Sequence, residues 1–263
     1  MSRIKKMFDQ KSSPVLNVFC TAGYPGADST PEVIQALQES GVDMVEIGMP
    51  YSDPLADGPV IQQVNAIALD NGMSISKLFH DLQDIRKEVH IPLMLMGYLN
   101  PVLQYGFEKF CSDAAAIGID GLIIPDLPDY EFEKNYKQVL LKYGLDFIFL
   151  ITPETSEARV RRLDSLSSGF IYAVATSSIT GNENVWEDVI VYLQRIASFH
   201  LNNPVLLGFG IKDHKGFHIA SKYAAGAIVG SAYIKALSGD SDIKSLTGKF
   251  VRHILGEVEA GNL

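Results

Sequence analysis

The chain has 263 residues, of which 47% are hydrophobic and 20% charged, and its formal net charge is −9. A net-acidic chain without lysine or arginine runs is a poor candidate for binding nucleic acid or an anionic membrane, although backbone N–H groups could still form a local anion site. Two cysteines argue against a disulfide framework, and no signal peptide or membrane-spanning run is present. These features predict a cytoplasmic globular protein.

Short apolar runs alternate with amphipathic stretches of helical length along the chain. The opening segment MSRIKKMFDQKS predicts a short amphipathic helix. Eight apolar runs follow in order, at 14–21, 43–48, 92–97, 121–126, 146–151, 170–175, 204–210 and 226–231. Continuous apolar runs indicate strands that are buried on both faces. Because helical stretches such as STPEVIQALQESG separate them, the pattern predicts parallel βα units.

Eight βα units in about 250 residues predict an α/β fold, a single (β/α)8 TIM barrel that spans residues 1–263 as one domain. The barrel would carry an extra N-terminal helix and a short phosphate-binding helix, SAYIKAL, after the eighth strand. The joints SGVDMVEI, IGIDGLII and YGLDFIFL share a glycine that closes a helix before a strand begins. A doubly wound open sheet is the alternative, but the count of eight strands favours the barrel.

The stretch EIGMPYSDPLADGP (46–59) places a carboxyl group near the end of the second predicted strand. Catalytic groups of such barrels lie at the carboxyl ends of the strands and in the loops that follow. Burying the charge of Glu46 costs free energy, unless another group compensates the charge or the function of the site requires it. The loop after it is long, and its Asp57 could fold back toward Glu46. The sequence therefore predicts a site with two carboxyl groups at this end of the barrel.

An anion site is predicted on the other side of the barrel mouth. The seventh run ends in GFG (208–210), and the eighth ends in Gly230 and Ser231 at the start of the short helix. Glycine lets the backbone approach an anion closely, and the loops after the seventh and eighth strands are the usual phosphate site of this fold. The stretch TSSITGNE adds hydroxyl groups and Gly181. No lysine is required for such a site.

The stretch EIGMPYSDPLADGP resembles the signature of the tryptophan synthase alpha subunit family, and so do FCTAGYPG, LMGYLNP, GLIIPDLP, YAVATSSITG, GFGI and IVGSA. The resemblance covers almost the whole chain. It implies a (β/α)8 barrel that cleaves indole-3-glycerol phosphate into indole and glyceraldehyde 3-phosphate. It also implies a beta subunit as partner, in an alpha2beta2 assembly. Pyridoxal phosphate is expected in that beta subunit, and neither a cofactor nor a metal is expected in this chain.

The resemblance assigns roles to the two carboxyl groups. Cleavage of the bond between indole C3 and the glycerol chain needs protonation of C3 and removal of a proton from the side-chain hydroxyl. The resemblance gives this proton transfer to Glu46 and the stabilisation of charge at N1–H to Asp57. Tyr172 aligns with a tyrosine near the catalytic acid.

The resemblance also implies the residues that bind the substrate. Its indole pocket consists of Phe19, Met96, Ile123, Leu150 and Phe209. Its phosphate site consists of Gly181, Gly210, Gly230 and Ser231. Thr180 aligns with a loop threonine that helps to close the site over Asp57. The chain departs from many members of the family at Ser178, where they have glycine.

Structural alternatives exist for each candidate residue. Glu46 could pair with a buried arginine, Asp57 could be a turn residue, and Tyr172 could only pack. The glycines could serve turn geometry alone. Three other functions also compete: a free-standing indole-3-glycerol phosphate lyase that needs no beta subunit, an isomerase of an aminated sugar phosphate, and a non-catalytic allosteric subunit. The intact carboxyl signature argues against the last two.

Overall fold

The computed structural model describes residues 1–175 and 185–257. Nine strand segments form one sheet in which every pairing is parallel. They are β1 (Val15–Thr21), β2 (Met44–Gly48), β3 (Leu93–Met96), β4 (Gly121–Ile123), β5 (Asp146–Phe147), β6 (Leu150–Ile151), β7 (Ile171–Val174), β8 (Val205–Gly208) and β9 (Gly226–Val229).

The order of the strands in the sheet is β5-β4-β3-β2-β1-β9-β8-β7-β6. The two end strands, β5 and β6, are consecutive in the chain and belong to one segment, 146–151. This segment pairs with β4 on one side and with β7 on the other. Between its halves, the Ile148 N–H donates to the Leu122 carbonyl at 3.0 Å, and the Phe149 carbonyl accepts from Tyr172 N–H at 3.1 Å. The sheet is therefore a closed barrel, which confirms the predicted fold class.

Helices connect the strands on the outside of the barrel. They are α1 (Arg3–Gln10), α2 (Thr30–Glu39), α3 (Pro59–Asp70), α4 (Ile75–Asp81), α5 (Leu99–Tyr105), α6 (Phe107–Ala116), α7 (Asp129–Glu131), α8 (Lys137–Tyr143), α9 (Glu157–Leu166), α10 (Val185–Ala197), α11 (His214–Tyr223), α12 (Ser231–Ala236) and α13 (Ile243–Leu255). A π-helical segment, Phe132–Tyr136, joins α7 to α8. The extra N-terminal helix is α1, and the predicted short helix after the last strand is α12.

The structure differs from the sequence prediction in three elements. The fifth predicted strand is split into β5 and β6. The stretch 74–89, which reads as one helical stretch, is divided into α4 and a 3₁₀ turn at Ile85–Lys87. Helix α3 directly after the loop 51–58 is not evident from periodicity, because its inner face buries only Val64, Asn65 and Ala68.

Two apolar clusters make up the core. The larger one lies between the sheet and the surrounding helices. The smaller one fills the barrel interior and consists of Val15, Met44, Met94, Ile123, Ile148, Phe170, Leu206 and Ile228, with Ile4 of α1 packed against it. Alternate residues of a strand face the same side. Asn17 and Glu46, two residues beyond Val15 and Met44, therefore face this interior as well, and both are fully buried.

Candidate active site

A cavity of about 740 Å³ opens at the carboxyl ends of the strands. Predicted site residues that line it are Phe19, Asp57, Met96, Leu150, Tyr172, Phe209, Gly210, Gly230 and Ser231. These residues come from seven strands or the loops that follow them. The barrel thus brings together most of the residues that the sequence predicted for the site, although they are spread over more than two hundred positions of the chain.

Glu46 is fully buried in β2 and does not itself line the cavity, whereas Gly48, two residues further along the same strand, does. Its Oε1 accepts a hydrogen bond from Nδ2 of Asn17, and its Oε2 has no partner in the described part of the chain. Burial raises the pKa of Glu46 from 4.5 to about 8, while the bond from Asn17 lowers it. No ion pair within residues 1–175 and 185–257 involves this carboxyl group. At neutral pH the group is therefore largely a carboxylic acid that can donate a proton.

Asp57 lies on the loop between β2 and α3 and lines the cavity. Its Oδ2 accepts a hydrogen bond of 3.2 Å from the Tyr98 hydroxyl. Burial raises the pKa of Asp57, and the bond from Tyr98 opposes that rise. The two carboxyl groups are thus held in different environments: one is enclosed in the barrel, and the other is partly open and bonded to a hydroxyl.

Tyr172 in β7 lines the same cavity. Burial raises its pKa well above 10, and the negative charges of Glu46 and Asp57 raise it further. The tyrosine therefore lies within electrostatic reach of both carboxyl groups, and its hydroxyl stays protonated. Its ring packs on Gly208 of β8, where an added Cβ would lie 2.3 Å from Cε2 of Tyr172. The glycine thus makes room for the ring.

Four of the five residues predicted for the indole pocket line the cavity, and the pocket itself stays a prediction. Phe19, Met96, Leu150 and Phe209 line the cavity, whereas Ile123 is fully buried in the interior cluster below. Although Met96 and Ile123 are paired in register, the tilt of barrel strands places paired residues at different heights. Gly48 accommodates the Phe19 ring, because a Cβ there would lie 2.4 Å from Cζ of Phe19.

Backbone from two loops also lines the cavity. Gly210 and Ile211 follow β8, and Gly230 and Ser231 follow β9. Gly210 has a φ of +36°, in the region that favours glycine, and nothing lies within 4 Å of a Cβ added there. Lys212 and Lys235 also line the cavity. The concentration of glycine, hydroxyl and lysine suits an anionic group.

Three residues discussed from the sequence lie outside the described residues. They are Thr180 and Gly181, which were predicted for the substrate site, and Ser178, at which the chain departs from the family pattern.

The sequence did not single out four residues as part of the site: Tyr98, Trp186, Lys212 and Lys235 line the cavity as well. Trp186 packs edge-on against the Phe209 ring, with centroids 5.1 Å apart, so it is both a packing residue and part of the wall. Tyr98 belongs to the stretch LMGYLNP and could have been found there. Lys212 in the loop after β8 and Lys235 in α12 belong to no such stretch.

Within residues 1–175 and 185–257, no cluster of three His, Cys, Asp or Glu side chains could hold a metal ion. No helix in the same residues is long and apolar enough to cross a membrane.

The closed barrel, with a buried acid and a glycine-rich rim at the carboxyl ends of its strands, defines a (β/α)8 barrel enzyme. A family model described as Tryptophan synthase alpha chain matches residues 6–259. The chain belongs to the tryptophan synthase alpha chain family. Membership confirms the predicted function, the alpha reaction of tryptophan synthesis, in which a lyase cleaves indole-3-glycerol phosphate. The designation as an alpha chain implies a beta-subunit partner.

Relatives and solved structures agree with this assignment. The tryptophan synthase alpha chain of Flavobacterium johnsoniae is 50% identical over 252 residues, which cover 95% of this chain and 99% of the relative. That of Parabacteroides distasonis is 47% identical over 242 residues, covering 92% and 94%. The crystal structure of tryptophan synthase subunit alpha from Legionella pneumophila has a TM-score of 0.89 at 30% identity, covering 98% of this chain and 100% of that one. An aminoacrylate-bound tryptophan synthase of M. tuberculosis has a TM-score of 0.84 at 31% identity, covering 97% and 100%.

Proposed function

We propose that the cavity binds indole-3-glycerol phosphate with its ring among the apolar residues and its phosphate at the glycine-rich loops. The single observation that carries this assignment is the position of Glu46. Its carboxyl group is buried in the barrel interior, two residues along β2 from Gly48 of the cavity wall, with a pKa of about 8 and one oxygen without a protein partner in the described part of the chain. Such a group is a proton donor at neutral pH.

Glu46 would carry both proton transfers of the cleavage. The acid first protonates C3 of the indole ring, which converts the ring to an indolenine with positive charge near N1. The Glu46 carboxylate then accepts the proton of the side-chain hydroxyl next to the bond that breaks. The electrons of the carbon–carbon bond return to the indolenine, which restores indole, and the oxygen becomes the carbonyl of glyceraldehyde 3-phosphate. Glu46 ends the cycle protonated, as it began.

Asp57 would stabilise the positive charge at N1–H while the indolenine exists. The Tyr98 hydroxyl bonded to its Oδ2 favours the ionised form of this carboxyl group, as that role requires. Tyr172 would remain a neutral hydroxyl, because burial and the charges of the two carboxyl groups raise its pKa. A low-dielectric cavity strengthens each of these interactions relative to water.

The phosphate would lie against the backbone N–H groups at Gly210, Gly230 and Ser231. Lys212 and Lys235 would add positive charge near the same rim. Gly181 and Thr180 keep the roles expected for them, as a phosphate contact and as a loop contact over Asp57.

The assembly and its setting follow from the family. We expect one barrel domain over residues 1–263, two copies of which join two beta subunits in a cytoplasmic alpha2beta2 complex. The alpha chain itself would need no cofactor, and pyridoxal phosphate would belong to the beta subunit. The loop 51–58 carries Asp57 and exposes Leu55, which is 90% accessible to solvent. Partner binding to a closed form of this loop would complete the site.

The deciding experiment measures indole release by the pure chain at saturating indole-3-glycerol phosphate, alone and with an excess of beta subunit. We expect slow release by the chain alone and at least ~10-fold activation by the partner, which needs only about 1.4 kcal/mol of barrier lowering. Equal rates would favour the free-standing lyase. No indole release under either condition would overturn the proposal.

A further inference from the structure

Two strands place an amide beside the buried acid. Asn17 of β1 pairs in register with Met44 of β2, and Phe19 pairs with Glu46. Asn17 and Glu46 both face the barrel interior, where their neighbours along the strands, Val15 and Met44, belong to the apolar interior cluster. Both side chains are fully buried. A polar pair therefore lies in an otherwise apolar layer below the cavity.

A buried asparagine at this position does not favour stability. Leaving a buried polar group without a partner costs about 1–3 kcal/mol. Asn17 Oδ1 has no hydrogen-bond partner in the described residues, and its amide nitrogen bonds only to Glu46 there. An apolar side chain of similar size would avoid this cost. What the amide gains against this cost is its hydrogen bond to Glu46.

The amide distinguishes the two oxygens of the Glu46 carboxyl group. Oε1 accepts from Asn17 Nδ2, so that oxygen is a poor place for the proton of the neutral acid, since an N–H already points at it. Oε2 has no partner in the residues described, and the proton then belongs there. After the proton leaves, the same N–H stabilises the carboxylate.

No positive group in the described residues competes with the amide for this role. The titratable groups whose pKa the Glu46 charge raises are the Cys20 thiol on β1 and the Tyr172 hydroxyl on β7. Burial and the Glu46 charge raise the pKa of Cys20 to about 12, and Tyr172 is raised well above 10. Both are neutral at physiological pH, so Asn17 is the donor that favours the carboxylate over the acid.

We propose that Asn17 is a positioning residue for Glu46, whose amide fixes the carboxyl group and leaves Oε2 as the oxygen that transfers the proton. The inference rests on the proposed role of Glu46. It makes Asn17 a determinant of the rate and of the pH range of the reaction, without contact to the substrate.

The test compares Asn17→Leu and Asn17→Asp with the parent chain, each assayed for indole release with beta subunit across pH. Both variants keep the number of side-chain heavy atoms, and both remove the N–H donor. We expect kcat to fall about 10–100-fold, the cost of a misplaced catalytic group, with little change in KM. The high-pH limb of the kcat profile should move to higher pH for Asn17→Leu. The Glu46 carboxylate loses its donor there, so the pKa of Glu46 rises. The limb should move further for Asn17→Asp, because two carboxyl groups share the site.

Val18→Ala is the matched control. Val18 neighbours Asn17 on the same strand and belongs to the outer cluster, so its truncation loosens the core without touching the carboxyl group. It should lower stability and leave the pH profile of kcat in place. A direct readout is the pKa of Glu46 from carbon NMR of labelled carboxyl groups in the isolated chain, which should rise in Asn17→Leu.

The outcomes separate the two proposals. If Glu46→Gln abolishes activity while Asn17→Leu and Asn17→Asp keep the parental kcat profile and Glu46 pKa, Asn17 is not a positioning residue. If Asn17→Leu does not fold, as judged by circular dichroism, Asn17→Asp decides by the same measurements. If Glu46→Gln itself retains the parental rate, the role of Glu46 fails, and the inference about Asn17 fails with it.

Discussion

The Tyr98 hydroxyl donates a hydrogen bond of 3.2 Å to Oδ2 of Asp57 and also accepts one of 3.1 Å from the Ala56 N–H. The tyrosine immediately precedes α5, whereas Asp57 belongs to the loop after β2, so one side chain joins two elements at the cavity mouth. Burial and the charge of Asp57 raise the pKa of Tyr98 to about 12. The hydroxyl therefore remains a donor throughout the pH range of an assay.

Tyr98→Phe should lower kcat/KM for indole release by about 10–100-fold, since a hydrogen bond to a charged group contributes about 1.5–3 kcal/mol. The carboxylate of Asp57 and the Ala56 N–H would both lose their partner. Tyr51→Phe is the control, because the Tyr51 ring packs against Tyr98 at 5.2 Å but its hydroxyl accepts only from Asn100 among the described residues. Similar losses in both variants would show that the loss of either hydroxyl at the cavity mouth lowers activity, and that the bond to Asp57 has no special part in it.

Glu46→Gln should abolish most of the activity, lowering kcat about 10²–10⁴-fold, and should also change how stability depends on pH. The folded state raises the pKa of Glu46 from 4.5 to about 8. Between these values the unfolded chain has released a proton that the folded chain still holds. The Glu46 contribution to the free energy of unfolding therefore falls as pH rises through this window.

The free energy of unfolding of Glu46→Gln, relative to that of the parent, should accordingly rise from pH 4.5 to 8 and stay constant above pH 8. Each pKa unit corresponds to about 1.4 kcal/mol. Urea unfolding followed by circular dichroism at several pH values measures this difference. A difference that does not vary with pH would show that the folded state leaves the Glu46 pKa unshifted.

Gly208→Ala should displace the Tyr172 ring, because the new Cβ would lie 2.3 Å from Cε2 and 2.7 Å from the hydroxyl oxygen of Tyr172. We expect kcat for indole release to fall about 10-fold or more. Gly26→Ala is the matched control, since nothing lies within 4 Å of its added Cβ. Parental kcat in Gly208→Ala would mean that the ring position is unimportant for the chemistry.

Gly230→Val should raise KM for indole-3-glycerol phosphate strongly and leave kcat less affected. A Cβ at Gly230 meets only ordinary contacts, the nearest being 3.5 Å from Cβ of Phe19, so the branched side chain would enter the cavity rather than the core. Binding of the inhibitor glycerol 3-phosphate should weaken in parallel, which isothermal titration calorimetry would measure. Unchanged affinity for both ligands would place the phosphate elsewhere.

The fold class and a set of candidate site residues could be predicted from the sequence. Eight apolar runs separated by helical stretches predict a parallel barrel, because strands buried on both faces show no polar alternation. The presence of Glu46 in the second apolar run and of Asp57 on the next loop is local information, as are the glycines after the last two strands. Strand ends of a parallel barrel meet at one face, so these residues could be placed together without coordinates.

The tertiary structure alone decided the depth and the contacts of each side chain. The alternation of residues along a strand predicts the face on which a side chain lies. It does not predict the height of that side chain along the barrel axis, because the height depends on strand tilt and stagger. For this reason Met96 reaches the cavity while its register partner Ile123 lies below it. The bonds from Asn17 to Glu46 and from Tyr98 to Asp57 join residues 29 and 41 positions apart, and each depends on the packing of separate strands and loops.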